Sequence, residues 1–163
     1  EALISEKAEG RHLEFKVGAY HNPHTRQKDG TMLNNVVEAA ASFFNSFDGG
    51  ALLLGVADKP VRVVGIADDL ATGGFVPQPE PEDAYALAIT QAITGRLGGH
   101  LADLLDLTFY TIRGQRVAHL AIRPADRAVM VQGELLVRGP KGKLKLKTAE
   151  AIEYMRRRFG AGV

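Results

Sequence analysis

Three carboxylates and one ammonium group are the residues of this sequence whose types and spacing could do chemistry. Glu9 and Glu14 bracket a turn into a strand-like segment, Lys16 follows Glu14 by two residues on the same face, and Asp58 closes an apolar run. Oxygen ligands of this kind suit Mg2+ or Mn2+, and a metal so held can orient a water and stabilise charge on a phosphodiester. A lysine beside it would stabilise the developing negative charge. The same spacing also describes solvated surface acids, where Asp and Glu are most often found. The catalytic set Glu9, Glu14, Lys16 and Asp58, with the first, second and fourth as metal ligands, therefore depends on which elements meet.

The elements that would position these groups can be read from periodicity. His12 to Val17 alternates, placing Leu13, Phe15 and Val17 on one face and His12, Glu14 and Lys16 on an exposed or cleft-facing one. Ala51 to Val56 reads as a buried strand ending at Asp58, with Gly55 marking a close backbone approach or a bulge. If the two strands lie side by side, the carboxylates and Lys16 converge at one rim. Between them, Leu33, Val36, Val37, Ala40, Phe43, Phe44 and Phe47 recur at helical spacing. They predict a helix over Thr31 to Phe47, capped by Thr31, ended by Asp48-Gly49-Gly50 and with its phenylalanines in the core.

Farther along, Arg62 to Ile66 reads as a strand, Ala67 to Pro81 as loop, and Glu82 to Leu97 as a helix. Leu107 to Arg113 pairs with Arg116 to Arg123, and Val129 to Val131 with Glu134 to Arg138. Thr148 to Arg158 is a helix with Thr148 as its cap. In the second strand Val117, His119 and Ala121 share a face, so His119 reads as half-buried instead of catalytic. Near the amino terminus, Leu3 and Ile4 read as anchors. The order predicts an α+β fold, a mixed, mostly antiparallel sheet packed with helices in one domain of 163 residues.

The composition, 45% hydrophobic and 24% charged, is that of an ordinary globular protein. No apolar run approaches the roughly 20 residues that span a bilayer, and no charged leader precedes an apolar core; a cytoplasmic protein is the expectation. Without cysteine, disulfides, thiolate metal sites and a Cys nucleophile are excluded. No phosphate loop of the Gly-x4-Gly-Lys type and no Gly-x-Ser-x-Gly elbow occurs. The sequence opens at Glu1, which fits a piece of a longer chain with additional domains; a homo-oligomer is equally open.

Net charge is +1, yet cations concentrate from Arg138 through Lys141, Lys143, Lys145 and Lys147 to Arg156, Arg157 and Arg158. Such a segment could hold phosphates or be a lysine-protected edge strand with a basic tail. Gly18 to Thr31 is a long polar loop whose Arg26 and Lys28 add phosphate contacts. Its His21 and His24 have no third nitrogen or sulfur ligand nearby. A cleft near Gly73-Gly74, able to take a small ligand, is a further reading.

Glu9-x4-Glu14-Phe15-Lys16, the run Ala41-Ser42-Phe43-Phe44-Asn45-Ser46-x-Asp48-Gly49-Gly50-x-Leu52-x-Leu54-Gly55-Val56-x-Asp58, and Val64-Gly65-Ile66 together resemble the Alba-like DNA-binding domain of the Schlafen family. Val117 to Ile122 with Pro124, and Leu136-Val137-Arg138-Gly139, are similar to the family's later segments. The resemblance implies association with nucleic acid, RNA favoured over DNA. In the Schlafen proteins themselves it implies a metal-dependent endoribonuclease acting on structured RNA such as tRNA. The family's acids would fall on Glu9, Glu14 and Asp58, with Lys16 in the Glu-x-Lys position and Asp48 as a second choice for the third acid. Ser46 stands where the family has Thr, Leu136 where it has an aromatic residue, and the Gly18 to Thr31 insertion is long. Related domains in transcriptional regulators imply the alternative of a noncatalytic DNA-binding module.

Overall fold

In the structure, a computed structural model, Ile4 and residues 10–160 are described. Leu13–Lys16 (β1) lies parallel to Gly50–Leu54 (β4), with Glu14 opposite Leu52 and Lys16 opposite Leu54. Gln115–Ile122 (β8) pairs antiparallel with β4, and Leu105–Ile112 (β7) with β8, giving the order β1-β4-β8-β7. The expected neighbours therefore do meet. The fold is α+β, with one parallel pair in an otherwise antiparallel sheet.

Alternation along these strands gives the sheet two apolar faces. Leu52, Leu54, Ala118, Leu120 and Ile122 pack with two helices, Gly30–Phe44 (α1) and Pro81–Leu97 (α3). Leu13, Phe15, Leu53 and Val117 form a smaller cluster on the other face, joined by Ile112, Val56 and the anchoring Ile4. Leu3 lies outside the described residues.

The helix α1 starts at Gly30 because Asp29, not Thr31, is its cap: the Asp29 carboxylate accepts from Thr31 N–H at 2.9 Å and from the Thr31 hydroxyl at 2.7 Å. It ends at Phe44, three residues before the periodicity predicts. Asn45 leaves the helix to bind a distant strand: its amide donates to the carbonyls of Val129 and Leu136, and its oxygen accepts from Val129 N–H, each at 2.8 Å. Phe43 and Phe44 are core, whereas Phe47 is exposed.

At Gly55 the apolar run breaks (φ +98°), so Val56–Asp58 (β5) is separate from β4 and pairs with Val61–Val63 (β6). A Cβ there would lie 2.9 Å from the Gly65 carbonyl carbon, the close approach that the sequence marks. The expected loop after Ile66 instead begins with a short helix, Ala67–Thr72 (α2). Within the expected polar loop, His21–Asn22 (β2) and Gln27–Lys28 (β3) form a small hairpin.

A second sheet, Met130–Val131 (β9), Glu134–Gly139 (β10) and Gly142–Leu146 (β11), packs Leu135 and Val137 against Thr148–Phe159 (α4). Strand β11 is the lysine-bearing edge strand. Thr148 is the first helical residue, and Lys147 is the cap position; the Glu150 carboxylate accepts from Lys147 N–H at 3.3 Å. No helix among the described residues is long and apolar enough to cross a membrane.

Candidate functional site

Glu14 belongs to the helix-packed side of β1, not to an exposed face. Opposite Leu52, it is 4% exposed and meets the guanidinium of Arg138, which comes from the face of β10 opposite Leu135 and Val137. Lys16 Nζ lies 2.9 Å from the other carboxylate oxygen. Arg138 in turn donates to the Gly10 carbonyl at 2.6 Å, and its guanidinium lies 4.2 Å from the centre of the Phe43 ring. Burial by itself would push the Glu14 carboxyl up, but the charges and hydrogen bonds of Lys16 and Arg138 outweigh it and hold the carboxyl below the usual range.

Arg138 is thus an interior residue, and the expectation that it contacts phosphate is corrected. Its burial follows from Val137 facing α4: alternation along β10 aims Arg138 at α1 and β1. The other expected cations are at the surface. Lys143 is paired with Glu38 and Lys145 with Glu134, the latter at 2.9 Å, while Lys141 is exposed in the β10–β11 turn. Arg26 and Lys28 are exposed on the small hairpin, Lys28 lying 5.8 Å from the centre of the Tyr20 ring.

Asp58 is elsewhere, on a cleft of about 590 Å³ beyond the carboxyl ends of β1 and β4. The cleft is lined by Asp58, Lys59 and Arg62 of the β5–β6 hairpin, His21 and His24 of the β2–β3 hairpin, and Asp68 of α2; Glu14 and Lys16 do not line it. His21 Nδ1 is 2.7 Å from the Thr72 hydroxyl. Glu9 lies outside the described residues, and no group of three His, Asp or Glu side chains able to hold a metal occurs among the described ones. Among the described residues, Glu14 and Asp58 are therefore not part of one shared three-donor group.

One wall of the cleft is fixed by Asp69, a buried carboxylate of α2. It accepts from the backbone N–H groups of Ala19 (2.8 Å), Tyr20 (2.7 Å) and His21 (2.7 Å), and from the Tyr85 hydroxyl at 2.6 Å. Burial and then the charge of Asp69 push the Tyr85 hydroxyl well above its ordinary pKa, so it remains a donor. The same carboxylate leaves no space at Gly18, where a Cβ would come within 2.5 Å of Asp69 Oδ1.

Sequence reasoning did not single out Lys59, Arg62 or Asp69. A charged hairpin beside a loop of unusual length was the signal available for the first two. At Gly73-Gly74, where the sequence suggests a cleft, the backbone is closely packed on one side: a Cβ at Gly73 would strike the Phe75 ring. His119 is half-buried, as expected, with an edge-on contact to Tyr110 and a pKa lowered by burial.

The mixed sheet, its smaller companion sheet and the Glu14–Arg138 junction define an α+β domain. Residues 9–147 match the family described as Schlafen, AlbA_2, and the chain belongs to that family. Membership suggests a nucleic-acid-binding role. Among solved structures, the DIP2311 protein from Corynebacterium diphtheriae has a similar fold, with a TM-score of 0.61 at 20% identity. The similarity covers 98% of this chain but only 31% of that protein. No curated protein matches the chain.

Proposed function

We propose that this is a nucleic-acid-binding domain whose cleft beyond β1 and β4 receives the phosphate backbone. The observation that carries this reading is the set of exposed cations at and beside the cleft. Lys59 and Arg62 line it, Arg26 stands on the neighbouring hairpin, and none of the three side chains has a partner among the described residues. Lys28 and Lys141 add charge at the surface. Unpaired cations release counterions from a polyanion without first breaking an ion pair, which distinguishes them from Lys143 and Lys145. RNA is preferred over DNA on the family resemblance.

Titrating binding to structured RNA against salt tests the reading. Affinity should fall with salt, and the double variant K59Q/R62Q should reduce the slope of log affinity against log salt by about two. Binding that ignores salt, or a slope unchanged in the variant, overturns it.

The catalytic form of this reading is cleavage of structured RNA such as tRNA by Mg2+ or Mn2+ held by Glu9, Glu14 and Asp58. The position of Asp58 on the cleft favours it. The engagement of both Glu14 oxygens by Lys16 and Arg138 favours binding without turnover. Incubating the same RNA with Mn2+ separates the two: an intact substrate supports the noncatalytic module, whereas cleavage lost in Asp58→Asn supports the enzyme. Asp58 is the informative position, because Glu14 is part of the fold.

A further inference from the structure

Phe47 has a position that its place in the helical periodicity does not explain. It follows α1, is 53% exposed, and stands at the amino-terminal ends of β1 and β4, opposite the cleft. Exposed aromatic rings are common singly, but this one is framed. The Arg158 guanidinium lies 5.5 Å from its ring centre, and Tyr154 meets it edge-on at 6.2 Å.

The frame is held by hydrogen bonds to the backbone just before Phe47 and to that of Ala125. Tyr154 OH donates to the Asn45 carbonyl at 2.7 Å, Arg158 Nε to the Ser46 carbonyl at 2.9 Å, and a terminal Arg158 nitrogen to the Ala125 carbonyl at 2.7 Å. Asn45 is itself tied to Val129 and Leu136. A ring held this way loses little freedom when it binds, which lowers the cost of using it as a contact.

Charge around the ring is positive. Arg157 lies over the Tyr154 ring at 5.4 Å, Arg156 is exposed one residue earlier, and Arg11 is near enough for its charge to act on Tyr154. Against these stand Asp48 and Glu153, both exposed. An accessible aromatic face among arginines is what an unpaired base with its phosphates requires; every base has a π-face, whereas a duplex keeps its bases stacked.

We infer that Phe47, framed by Tyr154 and Arg158 and flanked by Arg11 and Arg157, stacks on an unpaired base, making the domain selective for single-stranded segments. This rests on the nucleic-acid reading above and extends it to a second surface across the molecule from the cleft. Phe47 and the flanking arginines touch the nucleic acid; Tyr154 and Arg158 position the ring.

Fluorescence anisotropy with an unstructured single-stranded RNA and a duplex RNA of equal length tests the inference. Phe47→Ala and Phe47→Leu should each weaken single-strand binding about tenfold, with a change of less than about twofold for duplex, and Phe47→Trp should keep wild-type affinity. Phe47→Leu keeps apolar bulk without a π-face, so it separates stacking from mere packing. Single-strand affinity unchanged in the Ala and Leu variants, or an equal loss on both RNAs, overturns the stacking surface alone. Failure of the wild-type protein to bind either RNA overturns this inference and the nucleic-acid reading together.

Discussion

Removing the charge of Glu14 leaves Arg138 positive at a site where its side chain is 2% exposed and its Nε already has no hydrogen-bond partner. Glu14→Gln should therefore cost about 3 kcal/mol, the scale on which an unpaired buried charge destabilises a fold. The pH dependence follows from the lowered carboxyl pKa. Because the folded value lies below the unfolded one, Glu14 contributes stability above the ordinary glutamate pKa of about 4.3, and that stability is lost as pH falls through the folded value. Urea midpoints across this range should fall with acidification in the wild type and fall less steeply in Glu14→Gln. The pattern of β1 made Glu14 legible as a strand residue with Lys16 on its face. Its partner was not legible, since Arg138 stands 124 positions away and local pattern does not say which of many cations will meet a given acid.

Asp69 shows the corresponding limit for elements. Ala67–Thr72 is too short to display helical periodicity, and the Gly- and Pro-rich stretch behind it reads as loop, so its one buried carboxylate carried no signal. Yet that carboxylate holds the start of the small hairpin through three backbone N–H groups. Asp69→Asn replaces an acceptor-only group by one that also donates, and should destabilise the fold by about 2 kcal/mol while leaving donors of the hairpin unmet. Hydrogen exchange should show Ala19, Tyr20 and His21 amides losing protection first; unchanged protection there would mean that the hairpin is held by other contacts. The longer elements were legible because burial imposes their period: α3 lies within one residue of the expected span, and β8 sorts its residues between the two faces as the alternation predicts. Helix ends were less so. Asp29 and Thr31 are both cap residues by type, and the end of α1 is set by the contacts of Asn45 in another sheet.

Across the whole molecule, the separation of the two surfaces changes how the sequence motifs are read. The Glu-Phe-Lys segment and the Gly-Val-x-Asp strand end are neighbours through β1 and β4, but Glu14 faces the helices and the second sheet while Asp58 reaches the cleft. A family pattern preserves which residues occur, whereas the direction of each side chain is fixed by strand alternation and by the break at Gly55. The basic carboxyl-terminal segment divides similarly: Arg138 is interior, two lysines of β11 are paired with acids, and the arginines of α4 frame an aromatic ring.

The span between Glu14 and Arg138 also bears on synthesis. A chain growing from its amino terminus presents β1 early, yet burying Glu14 before Arg138 has been made would leave a carboxylate with only Lys16 to compensate it. The parallel β1–β4 pair is thereby discouraged from closing until Arg138 has been synthesised, and long-range closure of this kind is slow. Chains stalled short of Arg138 should remain sensitive to protease, and chains extended through α4 should become resistant; early resistance would show that β1 docks without its arginine.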